Sequence, residues 1–114
     1  MAISELATGT KAVAGTEWSV INDSSAIATN ATDGIYQLWL DLSDMVEGDQ
    51  LTIALYEKVR SGDTQRKAQR WTQTGVQADP NWFSPSVLLM HGFDWTLLAV
   101  SGTITVLWSL RSIA

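Results

Sequence analysis

A chain of 114 residues with 12 acidic and 7 basic side chains and no cysteine is sized for one domain, has no thiolate chemistry or cysteine-ligated metal site, and at a formal charge of −5 is too acidic for a general nucleic-acid binder. No apolar run approaches the ~18 residues of a membrane span, and the N-terminus lacks the basic start and apolar block of a secretory signal, so neither is expected. Six tryptophans are the compositional anomaly: each can remove up to about 250 Å² from water, so the chain is expected both to be stable and to use some of them at interfaces.

Charge is uneven along the chain. Residues 1–57 hold nine acids and one base, a net of −8, and residues 58–114 hold six bases and three acids, a net of +3. Such asymmetry points to self-association or to docking on an acidic protein surface.

Residues 1–15 are small, glycine-punctuated and weakly apolar. They predict an arm outside the domain, either frayed or ordered on a partner, with residues 16–114 forming a single β domain. Thr16 to Ile21 is a short strand with Trp18 and Val20 on one face. Asn22 to Gly34 is a polar loop ending in an Asp-Gly turn. Ile35 to Leu42 alternates with a period of two, turning Tyr36, Leu38, Leu40 and Leu42 inward and leaving Trp39 outside between Gln37 and Asp41. That indole is either covered by loops or an interface anchor, and the interface is the preferred reading. Ser43 caps one turn stopped by Gly48. Around it Asp41, Asp44, Glu47 and Asp49 make a calcium site conceivable, but the spacing is not that of an EF-hand, and a solvated acidic turn is the simpler reading.

Leu51 to Arg60 alternates again, with Leu51, Ile53, Leu55 and Val59 inward. It turns at Ser61-Gly62-Asp63 into a polar strand, Thr64 to Val76. This hairpin is expected at a sheet edge, decorated by Arg60, Arg66, Lys67 and Arg70. The cations either guard the edge against aggregation or dock on acidic neighbours. Single-stranded nucleic acid could stack beside Trp71, but the overall charge opposes it. Gln77 to Pro85 carries two prolines and reads as a rigid loop projecting Trp82 and Phe83, as a lid, a partner-binding tip or a sugar platform.

Ser86 to Arg111 is the stretch around which the rest is organised. Val87 to Met90 is apolar on both faces and predicts a central strand. Beyond Gly92, Phe93, Trp95 and Leu97 alternate with Asp94 and Thr96. Val100 to Thr103 is a tight turn, after which Ile104, Val106, Trp108 and Leu110 alternate with polar residues. The upstream elements are expected to cover the sheet these runs make. His91, the one histidine, has no second imidazole or triad partner and reads as a core or interface residue. No GxSxG, P-loop, dinucleotide fingerprint or HExxH occurs. The sequence offers no catalytic, cofactor-binding or metal-ligating residues, and a non-enzyme is expected.

Asp33 to Leu42 (DGIYQLWLDL), Gly48-Asp49, Tyr56 to Val59 (YEKV), Asn81-Trp82 with Ser84-Pro85, and Leu89 to Leu97 (LMHGFDWTL) together resemble small structural proteins that recur near the head genes of tailed bacteriophages. The likeness covers about residues 16–112, and YEKV and LMHGFDWTL are its most specific parts. It implies a virion protein made in the bacterial host cytoplasm, a capsid decoration (cement) protein on the capsid surface. Such a protein has no cofactor, is commonly trimeric, and is bound to the major capsid protein, with no nucleic-acid or membrane partner.

The resulting expectation is an all-β protein, an antiparallel β-sandwich or squashed barrel of about seven strands. Arg60, Arg66, Lys67, Arg70 and the arm are candidates for contact with the shell. Trp39, Val87 and Leu89 are candidates for contact between copies. The alternatives are a carbohydrate-binding β-sandwich module using Trp82 and Phe83, and a head–tail or tail component of the same virion.

Overall fold

The computed structural model describes residues 2–113. Period-two alternation sets the architecture: among the described residues there are nine strands and no helix. The strands are β1 (Ile3–Val13), β2 (Trp18–Ser19), β3 (Gly34–Asp41), β4 (Gln50–Glu57), β5 (Arg66–Thr74), β6 (Asn81–Phe83), β7 (Val87–Leu89), β8 (Asp94–Ser101) and β9 (Ile104–Ile113). All pairings are antiparallel and fall into two sheets. The first runs β1-β9-β3-β6, with β7 pairing the other half of β3; the second runs β2-β8-β4-β5. They face each other as a sandwich whose 20 Å thickness suits two sheets stacked about 10 Å apart with their side chains.

The core follows from the inward phase of each strand. Tyr36, Leu38 and Leu40 of β3 and Ile104, Val106 and Leu110 of β9 meet Leu51, Ile53 and Leu55 of β4 and Trp95, Leu97 and Ala99 of β8. Leu42 and Phe93, just outside the strands, complete it. Val59 does not join it. Strand β4 ends at Glu57, whose carboxylate accepts the amides of Lys58 and Met90, and the chain turns Val59 out to 87% exposure.

Three other expectations are corrected. Residues 3–13 are not an arm outside the domain but edge strand β1, paired along β9 from Ile3↔Ile113 to Val13↔Ile104. Most of β1 is exposed, which is why its composition reads as an arm, yet Val13 is fully buried. The runs on either side of Val100 to Thr103 do not share a sheet: β8 belongs to the second sheet and β9 to the first, so the turn crosses the sandwich. Its Gly102 has a φ of +83°, and a Cβ there would lie 2.1 Å from Asp49 Oδ1. Finally, Val87 to Met90 is not a central strand but the short outer strand β7 beside β3.

A buried carboxylate fixes the long polar loop between β2 and β3. Asp94 is fully buried. It accepts the backbone amides of Trp95 at 2.7 Å, Ala28 at 2.9 Å and Ile21 at 3.4 Å. Burial pushes its carboxyl above the usual range, and hydrogen bonds from Ser19, Ala28, Ile21 and Trp95 pull it back. Gln65 Nε2 donates to the carbonyls of Ala28 and Gly92 and ties the same loop to the β4–β5 turn.

Asp94→Asn places an amide NH₂ against backbone N–H groups. We expect a loss of about 2–4 kcal/mol in denaturant unfolding, with hydrogen exchange accelerating first at the Ile21 and Ala28 amides. Gly102→Ala meets both a left-handed backbone and the Asp49 carboxylate, and we expect about 1–3 kcal/mol of destabilisation.

Candidate functional site: the outer face of the first sheet

The register of β7, β3, β9 and β1 sets four aliphatic residues in a row across the outside of the first sheet. Ile3 pairs with Ile113, Ile113 with Ile35, and Ile35 with Leu88. Ile3 and Leu88 are 73% and 81% exposed. Beyond the intervening Gln37–Arg111–Glu5 row, Phe83, Trp39, Ser109 and Thr8 form a further row, followed by half-exposed Leu107.

Trp39 is braced from both neighbouring strands. The Phe83 ring of β6 stacks on it at 4.5 Å and 20°. The Arg111 guanidinium of β9 lies 4.5 Å from its centroid. Trp39 Nε1 donates to Gln37 Oε1, and Gln37 Nε2 donates to the carbonyl of Ser84. Arg111 Nε donates to Ser109 Oγ, which in turn donates to the Glu5 carboxylate of β1. Stacking, cation–π contact and hydrogen bonds thus lock one Trp–Arg pair in place across four strands. Shallow hollows of about 230 and 250 Å³ flank this ridge. The larger lies between the aliphatic row and Trp39–Arg111.

Of the residues singled out from the sequence, Trp39 sits at the centre of this face and Phe83 beside it. Val87 is half-buried and packs against the core. Leu89 is 3% exposed and belongs to the core, so it is not available for contact between copies; the register of β7 turns Leu88 outward in its place. Trp82 does not project from a loop. Residues Asn81–Phe83 are strand β6, and the Trp82 ring meets Trp71 edge-on at 5.5 Å against the core. A sugar platform needs a free ring face, and neither Trp82 nor the stacked Phe83–Trp39 pair stands free in a loop.

Arg66, Lys67 and Arg70 are exposed on β5, the edge of the second sheet, and Lys67 lies over the Tyr56 ring. Arg60 stands apart in the turn, paired with Asp63 at 3.1 Å. The acids around Ser43 serve the backbone: Asp41 accepts the Ser43 amide, Asp44 that of Thr105, and Asp49 that of Val46. Hydrogen bonds from Ser43 hold the Asp41 carboxyl below its usual range. Among the described residues no three His, Cys, Asp or Glu side chains gather as a metal site.

On the outer face of the second sheet, the half-buried Glu17 carboxylate accepts Tyr56 Oη at 2.8 Å and Thr96 Oγ1 at 2.6 Å. Burial, and then that carboxylate, push the Tyr56 phenol well up. His91 is half-buried beside Glu57, which accepts its backbone amide.

Sequence reasoning missed Ile3, Ile35, Leu88, Arg111 and Ile113 as one surface. Their outward phase is legible in β3 and β9, but only the pairing brings them together. No protein-family model, curated protein or solved structure matches the chain.

The two neighbouring leucines separate surface from core. Leu89→Ala is expected to cost about 2–5 kcal/mol, and Leu88→Ala to stay within about 0.5 kcal/mol of the parent, measured by chemical unfolding. Similar losses at both positions would contradict the register of β7.

Proposed function

We propose that the chain is a non-enzymatic structural subunit of a tailed-phage virion, a capsid decoration protein that stabilises the head by bridging neighbouring capsid subunits. The observation that supports this best is the outer face of the first sheet. An aliphatic row, exposed at Ile3 and Leu88, and a braced Trp–Arg–Phe cluster share this face and have no cover among the described residues. Apolar surface of this kind is the mark of a protein that finishes burying itself in an assembly, and immobilised Trp and Arg are the side chains that dominate interface energies.

The mechanism is mechanical. Copies associate as a homo-oligomer, with a trimer favoured, and sit on the capsid surface. Each contact of about 1,600 Å² is modest, but its effect multiplies over a shell of repeated sites. In this reading the cations of β5 meet the acidic neighbours of the major capsid protein, while the first sheet's outer face meets other copies.

Co-sedimentation with shells assembled from the major capsid protein tests the proposal. We expect saturable binding that weakens with salt. Arg66→Glu with Arg70→Glu should reduce binding and flatten its salt dependence, with thermal unfolding unchanged. Wild-type protein that stays in the supernatant at low salt would contradict the proposal.

A further inference from the structure

The chain carries both halves of a contact that it does not make with itself. One half is the larger hollow on the first sheet, walled by Ile3, Ile35, Ile113, Trp39 and Arg111. Arg111 is held there by its stack on Trp39 and its Nε bond to Ser109. Its two terminal nitrogens have no acceptor among the described residues, so a fixed guanidinium fork is presented to whatever enters. Such a fork fits a carboxylate.

The other half is at the opposite end of the sandwich, in the turn between β3 and β4. That turn and the one before β6 carry Asp44, Glu47, Asp49 and Asp79 and no cation. Asp44 and Asp49 are used on backbone amides. Val46 is 58% exposed, and the exposed Glu47 beside it has no hydrogen-bond partner among the described residues. An uncovered aliphatic side chain next to an unused carboxylate is the chemistry the hollow and Arg111 would take.

We infer that the hollow receives the β3–β4 turn of a second copy, with Val46 seated among the three isoleucines and the Glu47 carboxylate on Arg111. The inference rests on the proposal that this face is a contact between copies and names the segment that fills it. The cations of β5 are poorer receivers for the turn. Arg66 and Arg70 are exposed and unbraced and lose more freedom on pairing than the stacked Arg111, and Lys67, although it lies over the Tyr56 ring, presents a point charge and not a planar fork. Turn and hollow are different parts of the surface, so the contact is head-to-tail, and repeated copies close into a ring or extend as a chain.

Light scattering after size exclusion tests this on four proteins: wild type, Glu47→Arg, Arg111→Glu and the double variant. The wild type is expected to be oligomeric. Each single variant is expected to be monomeric, with association weakened about tenfold or more, and the double variant to recover the wild-type mass. Mixing the two single variants sets the native turn against the native hollow in one direction and the two reversed charges against each other in the other, so assemblies of alternating copies larger than a heterodimer are expected. Glu47 is exposed and unpartnered, so Glu47→Arg leaves the fold intact and reads the contact alone.

Wild-type protein that is monomeric at its highest soluble concentration would overturn the inference, as would single variants that keep the wild-type mass. Shell binding by the same variants is read separately. Glu47→Arg that binds shells while monomeric leaves the decoration proposal standing, and wild type that forms rings without binding shells sinks that proposal but supports this contact.

Discussion

A sandwich of two sheets has two open sides, and closing them with indoles is the constraint on which the rest of this structure depends. On the side of edges β1 and β2, Trp18 of the second sheet meets Trp108 of the first at 5.8 Å. Gly9 lies beneath, where a Cβ would press on the Trp108 ring at 3.1 Å. On the side of edges β5 and β6, Trp71 bridges to Trp82 at 5.5 Å and stacks on Trp95 at 6.0 Å. Each buried indole is worth up to about 6 kcal/mol by area, an upper bound because unfolded chains already hide some of it. Trp95 Nε1 is buried without an acceptor among the described residues, which costs about 1–3 kcal/mol; the ring is kept there for its area. Five of the six tryptophans are thus packed on the core, and Trp39 alone of the six stands on an outer face, where its bracing by Phe83 and Arg111 has no role in closing the sandwich.

Much of this fold is legible in the sequence because strands with one buried face declare their phase. Ile35 to Leu42 and Leu51 to Leu55 place the right residues inward, and the β4–β5 hairpin lies at an edge as its charges suggest. What could not be read is pairing. Nothing in Val100 to Thr103 distinguishes a hairpin turn from one that crosses between sheets. Val87 to Met90 is apolar at every position and so carries no phase; only its alignment with β3 decides that Leu88 faces out and Leu89 in. Residues 3–13 are polar and small because they form a mostly exposed edge, a composition that a detached arm shares. Asp94 and Thr96 alternate away from the core as expected, yet both are buried; Asp94 lies beneath the β2–β3 loop, which it holds by the two amides of Ile21 and Ala28.

The surface is harder to read than the core for the same reason. Trp39 is identifiable because a large apolar residue in the outward phase of a confident strand stands out. Arg111 and Ser109 look like ordinary polar alternation until β9 is laid between β1 and β3. The −8 and +3 halves of the chain become spatial: β4 runs from the acidic turn at one end of the sandwich to the cation-bearing turn at the other. Strand order thus converts a compositional bias into a molecule whose ends differ in charge, with a braced arginine and an apolar hollow on the outer face of the first sheet.

The central claim is that the outer face of the first sheet is covered in an assembly. Hydroxyl-radical footprinting of the assembled protein and of the protein diluted to its monomer tests it most directly, because Trp39, Phe83 and Leu88 report on that face while Val59 and Val76, exposed in turns flanking β5, report on another part of the surface. The account requires strong protection of Trp39, Phe83 and Leu88 on assembly. Equal labelling of those three residues in the assembled and the monomeric protein would contradict it.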